Sequence, residues 1–183
     1  MEMFGTVNNH PDRVKYIRLG ELATYINGYP FKPEEWTSDG LPIIRIQNLT
    51  GINDKFNYYD GDYPKKIEIN NGDVLISWSA SLGVYLWNSG KALLNQHIFK
   101  VVFNKLPVNK EYFIVAVSQK LFDMVGKTHG ATMKHIVKKD FDNTLIAYPS
   151  IDEQKNFAAF VRQCDKSKVK ASISVCEHII YKI

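Results

Sequence analysis

The sequence predicts a mixed α/β (α+β) domain followed by a long C-terminal helix. Three observations carry this. Short β-branched runs of period two recur between Leu41 and Phe103, an apolar stripe at helical spacing follows Pro107, and Ser150 to Ile183 contains neither Gly nor Pro. Residues 1–149 therefore read as one domain with a mixed, twisted β-sheet and short helices, and residues 150–183 as a spacer helix. A chain of 183 residues suits one domain with an appendage, because domains cluster at roughly 100–150 residues. With 45% hydrophobic and 13% aromatic residues it can bury a core, which excludes disordered and collagen-like classes.

The first thirteen residues have turn composition. Leu19, Leu22, Ala23 and Ile26 then fall at helical spacing, with Gly28 as the expected stop, and Tyr29 to Gly40 reads as a loop. In the run Leu41 to Leu49 a period of two places Ile44 and Ile46 on one face and Ile43, Arg45 and Gln47 on the other. The Asn71-Gly72-Asp73 turn precedes a strand Val74 to Trp78, and after the small-residue corner Ser79 to Gly83 a third strand covers Tyr85 to Trp87. A fourth, Gln96 to Phe103, is apolar on both faces and is expected at the sheet centre. Asn109 opens a helix with Phe113, Val117, Leu121 and Val125 on one stripe, closed by Gly126. A basic segment, Lys127 to His135, reads as a loop, and a last strand covers Asn143 to Tyr148.

Ser150-Ile-Asp-Glu153 is a capping box, in which hydroxyl and carboxylate reciprocally satisfy free N–H groups. The helix it opens extends about 48 Å if it continues to Ile183. Val169, Ile173, Cys176, Ile180 and Ile183 step by 4, 3, 4 and 3, the seam of a coiled coil. Phe157, Val161 and Cys164 form an earlier, offset stripe. Both stripes are candidates for a helix partner interface, including one in a homodimer; packing of the first stripe, or of the whole helix, on its own domain is the competing reading. Cys164 and Cys176 stand about 18 Å apart along the axis and cannot bridge within the helix. Without a secretory segment or an apolar run of membrane-spanning length, the expectation is a reduced, cytoplasmic protein with no membrane partner.

The net charge of +4 is mild, but it is local. Lys120 to Lys139 holds five lysines against one acid, Asp123, whereas Gly51 to Asp73 holds five acids against three lysines. None of the eleven glycines forms Gly-x-Gly, and HExxH, Gly-x-Ser-x-Gly and Asn/Asp-Pro-Pro-aromatic elements are absent. The sequence therefore offers no catalytic and no metal-ligating residues. What remains is a binding inventory of side chains that read base edges or grip phosphates. It comprises Arg45, Gln47, Asn48, Ser77, Ser79, Ser81, Asn95, Gln96 and His97, with Lys127, His129, Met133, Lys134 and His135 in the basic segment. Each has a plainer reading: Asn95 and Gln96 can satisfy a strand end, His97 can be a core histidine, Arg45 a surface ion-pair partner, the serines turn-formers.

Six ordered blocks carry a resemblance. Leu19 to Leu22, Ile43 to Leu49, Gly72 to Gly83, Leu94 to Lys100, His129 to Ile136 and Pro149 to Gln154 resemble, in that order, the target recognition domain of type I restriction-modification specificity (S) subunits. The resemblance implies a non-catalytic reader of double-stranded DNA whose helix docks methyltransferase subunits. S-adenosylmethionine, ATP and Mg are then expected in the partner methyltransferase and restriction subunits, with no cofactor bound by this chain. Such subunits typically carry two recognition domains on antiparallel helices, each reading half of a bipartite target. One domain and one helix imply either a half-size subunit that pairs or a piece of a longer one, the latter suggested by a likeness of Met3-Phe4-Gly5 to a preceding spacer tail. Two alternatives stand beside this: the recognition module of a single-chain restriction-methyltransferase, and a carbohydrate binder using Trp78, Tyr85 and Trp87.

Overall fold

The computed structural model describes residues 15–126 and 136–166. Along the chain it runs β1 (Tyr16–Arg18), α1 (Leu19–Leu22), β2 (Thr24–Asn27), a 3-10 turn at Pro33–Glu35, β3 (Leu41–Ile44), α2 (Ile46–Leu49) and β4 (Asn57–Tyr59). A second 3-10 turn, Lys65–Ile67, leads to β5 (Glu68–Ile69), β6 (Val74–Ser77), β7 (Gly83–Leu86), β8 (Ala92–Leu94) and β9 (Ile98–Val102). Helices α3 (Lys110–Gly126) and α4 (Lys138–Asn143), strand β10 (Leu145–Ala147) and helix α5 (Ile151–Lys166) complete it.

The expected mixed α/β class is observed, but the strands form two four-stranded sheets and a ribbon in place of one sheet. The first sheet, ordered β2-β9-β6-β7, is antiparallel throughout. The second, ordered β4-β3-β8-β5, pairs β3 with β8 in parallel, and β1 pairs with β10 in the ribbon. β9 is central, as its two apolar faces predict. Alternation explains the layering: Val74, Ile76, Phe99 and Val101 face a core shared with Phe113, Val117 and Phe141, whereas Leu75 and Ile98 face a second core with Ile43, Ile44, Leu93 and Leu94. The first sheet is thus covered on both faces. Lys100 is the charged exception on β9, and it bonds Asp73 at 3.2 Å and the Glu68 carbonyl at 2.7 Å.

Several expectations change. The helix foreseen for Leu19 to Ile26 stops at Leu22; Ala23 is extended (φ −148°, ψ 170°), and Thr24–Asn27 pairs with β9. Helix-spaced Leu19 and Leu22 hand over to Tyr25, which is buried from a strand. The strand foreseen for Leu41 to Leu49 ends at Ile44, because the Asn48 side chain accepts the Arg45 backbone N–H at 3.0 Å and starts α2. β9 starts at Ile98, since His97 turns with φ of 70°. The strand Asn143 to Tyr148 shortens to Leu145–Ala147 behind the unforeseen α4.

Helix α3 follows its predicted stripe, with Phe113, Val117 and Leu121 buried and Asn109 Oδ1 accepting the Tyr112 N–H. The Ser150 capping box is formed: the Ser150 N–H donates to Glu153 Oε2 at 2.8 Å and the Glu153 N–H to Ser150 Oγ at 3.3 Å. The Ser150 hydroxyl also donates to Glu153 Oε2 at 2.7 Å, and that bond, with the one from the Ser150 N–H, holds the Glu153 carboxyl below its usual range. Phe157 and Val161, assigned to a helix partner interface, instead turn onto their own domain. The Phe157 ring meets Tyr112 edge-on at 5.7 Å and Val161 is buried, while Cys164 is half-buried. The seam residues Val169, Ile173, Cys176, Ile180 and Ile183 lie outside the described residues.

Gln154 fastens α5 to the domain. Its side chain is fully buried, accepts the Asn109 N–H at 3.0 Å through Oε1 and donates to the Pro149 carbonyl at 2.9 Å through Nε2. Gln154→Ala strands both backbone groups, and urea denaturation is expected to show a loss of about 2–4 kcal/mol. Gly28 closes the junction of the two sheets: a Cβ there would stand 2.0 Å from the Asn95 carbonyl oxygen. Gly28→Ala is expected to cost more than about 3 kcal/mol in the same measurement, because backbone must move to admit the methyl group.

Candidate nucleic-acid interface

The topology gathers strand ends at one place. β2 and β6 both run antiparallel to β9, so they finish where β9 begins, and parallel β3 and β8 finish together. A three-residue turn, Asn95-Gln96-His97, joins β8 to β9 and brings the two groups of ends into one region. Backbone bonds lace it. Tyr29 N–H donates to Leu94 O at 2.9 Å, Asn95 N–H to Ile44 O at 3.0 Å, Gln96 N–H to Tyr29 O at 3.0 Å and Trp78 N–H to His97 O at 3.1 Å. These bonds fix the main chain of the turn at the sheet ends.

Ala80 (φ 57°) and His97 (φ 70°) are the non-glycine residues with positive φ among those described, and both sit at this end. Left-handed backbone at such residues is held against its preference and clusters at functional sites. The surrounding ring packing supplies the restraint. The His97 ring meets Trp78 edge-on at 4.9 Å, Trp78 stacks on Phe99 at 5.5 Å, and the Trp78 indole N–H donates to Asn27 Oδ1 at 3.2 Å.

The candidate residues divide by what their side chains do. Gln47, Ser81 and Gln96 are exposed, and Arg45, Asn95 and His97 are half-buried at the strand ends. Arg45 and Gln47 do not share a strand face as expected, because Arg45 closes β3 and Gln47 lies on α2. Asn48 is committed within the chain: besides capping Arg45, its Nδ2 donates to the carbonyls of Asn53 at 3.0 Å and Lys55 at 2.9 Å. Ser77 and Ser79 are buried, and the Ser77 hydroxyl donates to the Ser81 carbonyl, so the pair shapes the corner in place of presenting donors. Lys127, His129, Met133, Lys134 and His135 lie outside the described residues. The residue that follows them, Ile136, donates its N–H to the Trp78 carbonyl at 3.0 Å.

Three neighbours escaped the sequence reading: Asn27, Tyr29 and Trp36. Asn27 and Tyr29 reach the site through pairing with β9 and Asn95, which no local pattern encodes. Trp36 lies under the Arg45 guanidinium, whose Cζ is 5.3 Å from the ring centroid. The aromatics of the carbohydrate reading do not form a platform. Trp87 is buried, with its indole N–H donating to the Gly90 carbonyl at 2.6 Å, and Trp78 is stacked inward.

Nearby charge is settled locally. Glu68 is held below the usual carboxylate range by bonds from Lys91 and Tyr63, and Asp73 pairs with Lys100. Arg45 is in no salt bridge among the described residues. Those residues also contain no cluster of ligands able to hold a metal ion, and no helix among them is long and apolar enough to cross a membrane.

Known proteins resemble this chain in sequence and in fold. The chain is 29% identical over 160 residues to the type I restriction enzyme EcoBI specificity subunit of Escherichia coli, covering 84% of this chain and 34% of that protein. To the MjaVIII specificity subunit of Methanocaldococcus jannaschii it is 23% identical over 171 residues, covering 85% and 36%. The chain thus spans about a third of the length of these curated relatives. Its fold is similar to the HsdS subunit from Thermoanaerobacter tengcongensis, with a TM-score of 0.65 at 19% identity over 89% of this chain and 40% of that one. For the type I S subunit from M. genitalium the TM-score is 0.59 at 14% identity, over 88% and 41%. The family model for the type I restriction modification DNA specificity domain matches residues 11–174, and the chain belongs to that family.

Proposed function

We propose that this chain is a sequence-specific DNA-binding specificity subunit, or the recognition part of one, in a type I restriction-modification system. The observation that carries it is the convergence of Arg45, Asn95, Gln96 and His97 on laced strand ends, in a chain of a DNA specificity family. Side chains with donor and acceptor pairs, held on a rigid sheet end, suit the major groove, where each base pair shows a distinct pattern. Phosphate contacts then fall to the lysines of the segment between Gly126 and Ile136.

The finer reading rests on the family resemblance. The domain reads one half of a bipartite target, and the C-terminal helix docks methyltransferase subunits and holds a second recognition domain, from another copy or from elsewhere in a longer chain. This chain is non-catalytic. Methyl transfer from S-adenosylmethionine, and ATP- and Mg-dependent cleavage, belong to partner methyltransferase and restriction subunits in the cytoplasm.

Fluorescence anisotropy on labelled duplexes tests the reading. With four to six phosphates neutralised, log K falls against log salt with a slope of about −4 to −5, and Lys127→Ala with Lys134→Ala flattens that slope on every duplex. Arg45→Ala or Gln47→Ala costs about 1–3 kcal/mol on the target alone, with random duplexes unaffected. Salt-independent binding, or methyl transfer by the purified chain alone, overturns the assignment.

A further inference from the structure

Resting on the DNA-reading assignment, we infer that Arg45 and Asn95 together read one G·C base pair and that Trp36 is the positioning residue for Arg45. The starting point is register. Ile44 and Leu94 are Cα partners on parallel β3 and β8, so Arg45 and Asn95 stand side by side one residue further on, joined by the Asn95 N–H bond to Ile44 O. Tyr29 is the Cα partner of Asn95 on its other flank. Residues level with one another on paired strands present their side chains to the same face.

The chemistry of this row is complementary to one base pair. Arg45 Nε is a buried donor and Asn95 Oδ1 a buried acceptor, and neither has a hydrogen-bond partner among the described residues. Buried polar groups are nearly always paired, so an unpartnered donor and acceptor on residues level with one another at paired strand ends call for a ligand that, after a local shift of the two side chains, offers both complements. In the major groove guanine presents O6 and N7 as acceptors, and its cytosine presents the N4 amino group as donor. A guanidinium fork on guanine, with the Asn95 carbonyl oxygen accepting from cytosine N4, satisfies both from a single pair.

Arg45 is fixed at both ends. Asn48 Oδ1 accepts its backbone N–H at 3.0 Å, and the indole of Trp36 lies 5.3 Å from its Cζ. Trp36 is itself placed by the 3-10 turn, through its N–H bond to Pro33 O at 3.2 Å, and it packs against the second core. A guanidinium held on an aromatic face loses less freedom when it binds, and the π face of Trp is the strongest such partner. Trp36 thus acts through Arg45 with no contact to DNA of its own.

The test is selection of a randomised duplex library by the 183-residue chain, comparing wild type with Arg45→Ala, Asn95→Ala, Trp36→Phe and Trp36→Leu, beside anisotropy on the unselected library. Wild type is expected to enrich a motif with a fixed G·C pair. Arg45→Ala and Asn95→Ala both relax that same position on the order of 10-fold or more. Trp36→Leu, which keeps apolar bulk and removes the π face, relaxes it as well, and Trp36→Phe restores most of the preference. The inference is overturned if Arg45→Ala and Asn95→Ala relax different positions, if the position is not G·C, or if Trp36→Leu weakens every duplex equally or leaves the motif intact. A wild-type chain that binds duplexes without enriching a motif, or does not bind them, removes the DNA-reading assignment itself and this inference with it.

Discussion

The close approach of Gly28 to Asn95 is the contact on which the rest of the molecule depends. One sheet ends in Asn27 and begins again at Ile98, the other ends at Ile44 and Leu94, and only a residue without Cβ lets the main chains of β2 and the β8–β9 turn come together. Once they do, Tyr29, Ile44 and Asn95 exchange backbone bonds that tie the two sheets at their ends. A turn tied on so many sides can hold His97 at positive φ, which a loop free in solvent would relax. The polar side chains of the turn therefore inherit fixed positions from main-chain bonding, with little need of side-chain bonding among themselves.

The layering reinforces this. β6 and β9 give alternate residues to the two cores, so the first sheet cannot slide against the second without exchanging an apolar face for the wrong environment. Helix α3 covers the far face, and α5 is clamped to its start through Gln154 and Asn109. The body that carries the candidate site is thus continuous with the first turns of the C-terminal helix. An assembly that grips that helix also orients the strand ends, with no flexible joint between Pro149 and α5.

The parts of this arrangement that the sequence reveals are those with local causes. The capping box at Ser150, the stripe of α3, the turn at Asn71 to Asp73 and the central place of β9 all follow from side chains within a few residues of one another. Where causes were distant, local pattern misled. Leu19 to Ile26 has helical spacing, yet pairing with β9 takes the second half as strand. Arg45 and Gln47 alternate like strand residues, yet the Asn48 amide ends the strand before either of them and gathers the carbonyls of Asn53 and Lys55. β8 is three apolar residues with no period to detect, although it carries the site's turn. The candidate residues themselves were legible as residue types. Their division into exposed residues such as Gln47 and Gln96, half-buried ones such as Arg45 and Asn95, and buried corner-formers such as Ser77 was not, because burial is a property of the assembled sheets.

That division has a consequence for how affinity and specificity separate in such a domain. Asn95 and His97 belong to the β8–β9 turn, and Arg45 to the end of β3, all fixed by bonds within and between the sheets. The lysine-bearing segment instead leaves α3 at Gly126 and rejoins at Ile136, whose N–H bonds the Trp78 carbonyl beside His97. Base discrimination needs donors and acceptors held to fractions of an ångström, which a laced sheet end supplies. Phosphate attraction acts as charge over several ångströms and needs no such precision. On the proposed reading, sequence preference changes when the side chains of Arg45, Asn95 and Gln96 are substituted on an unchanged main chain, because the bonds that fix their backbones use N–H and C=O groups that every residue except proline carries.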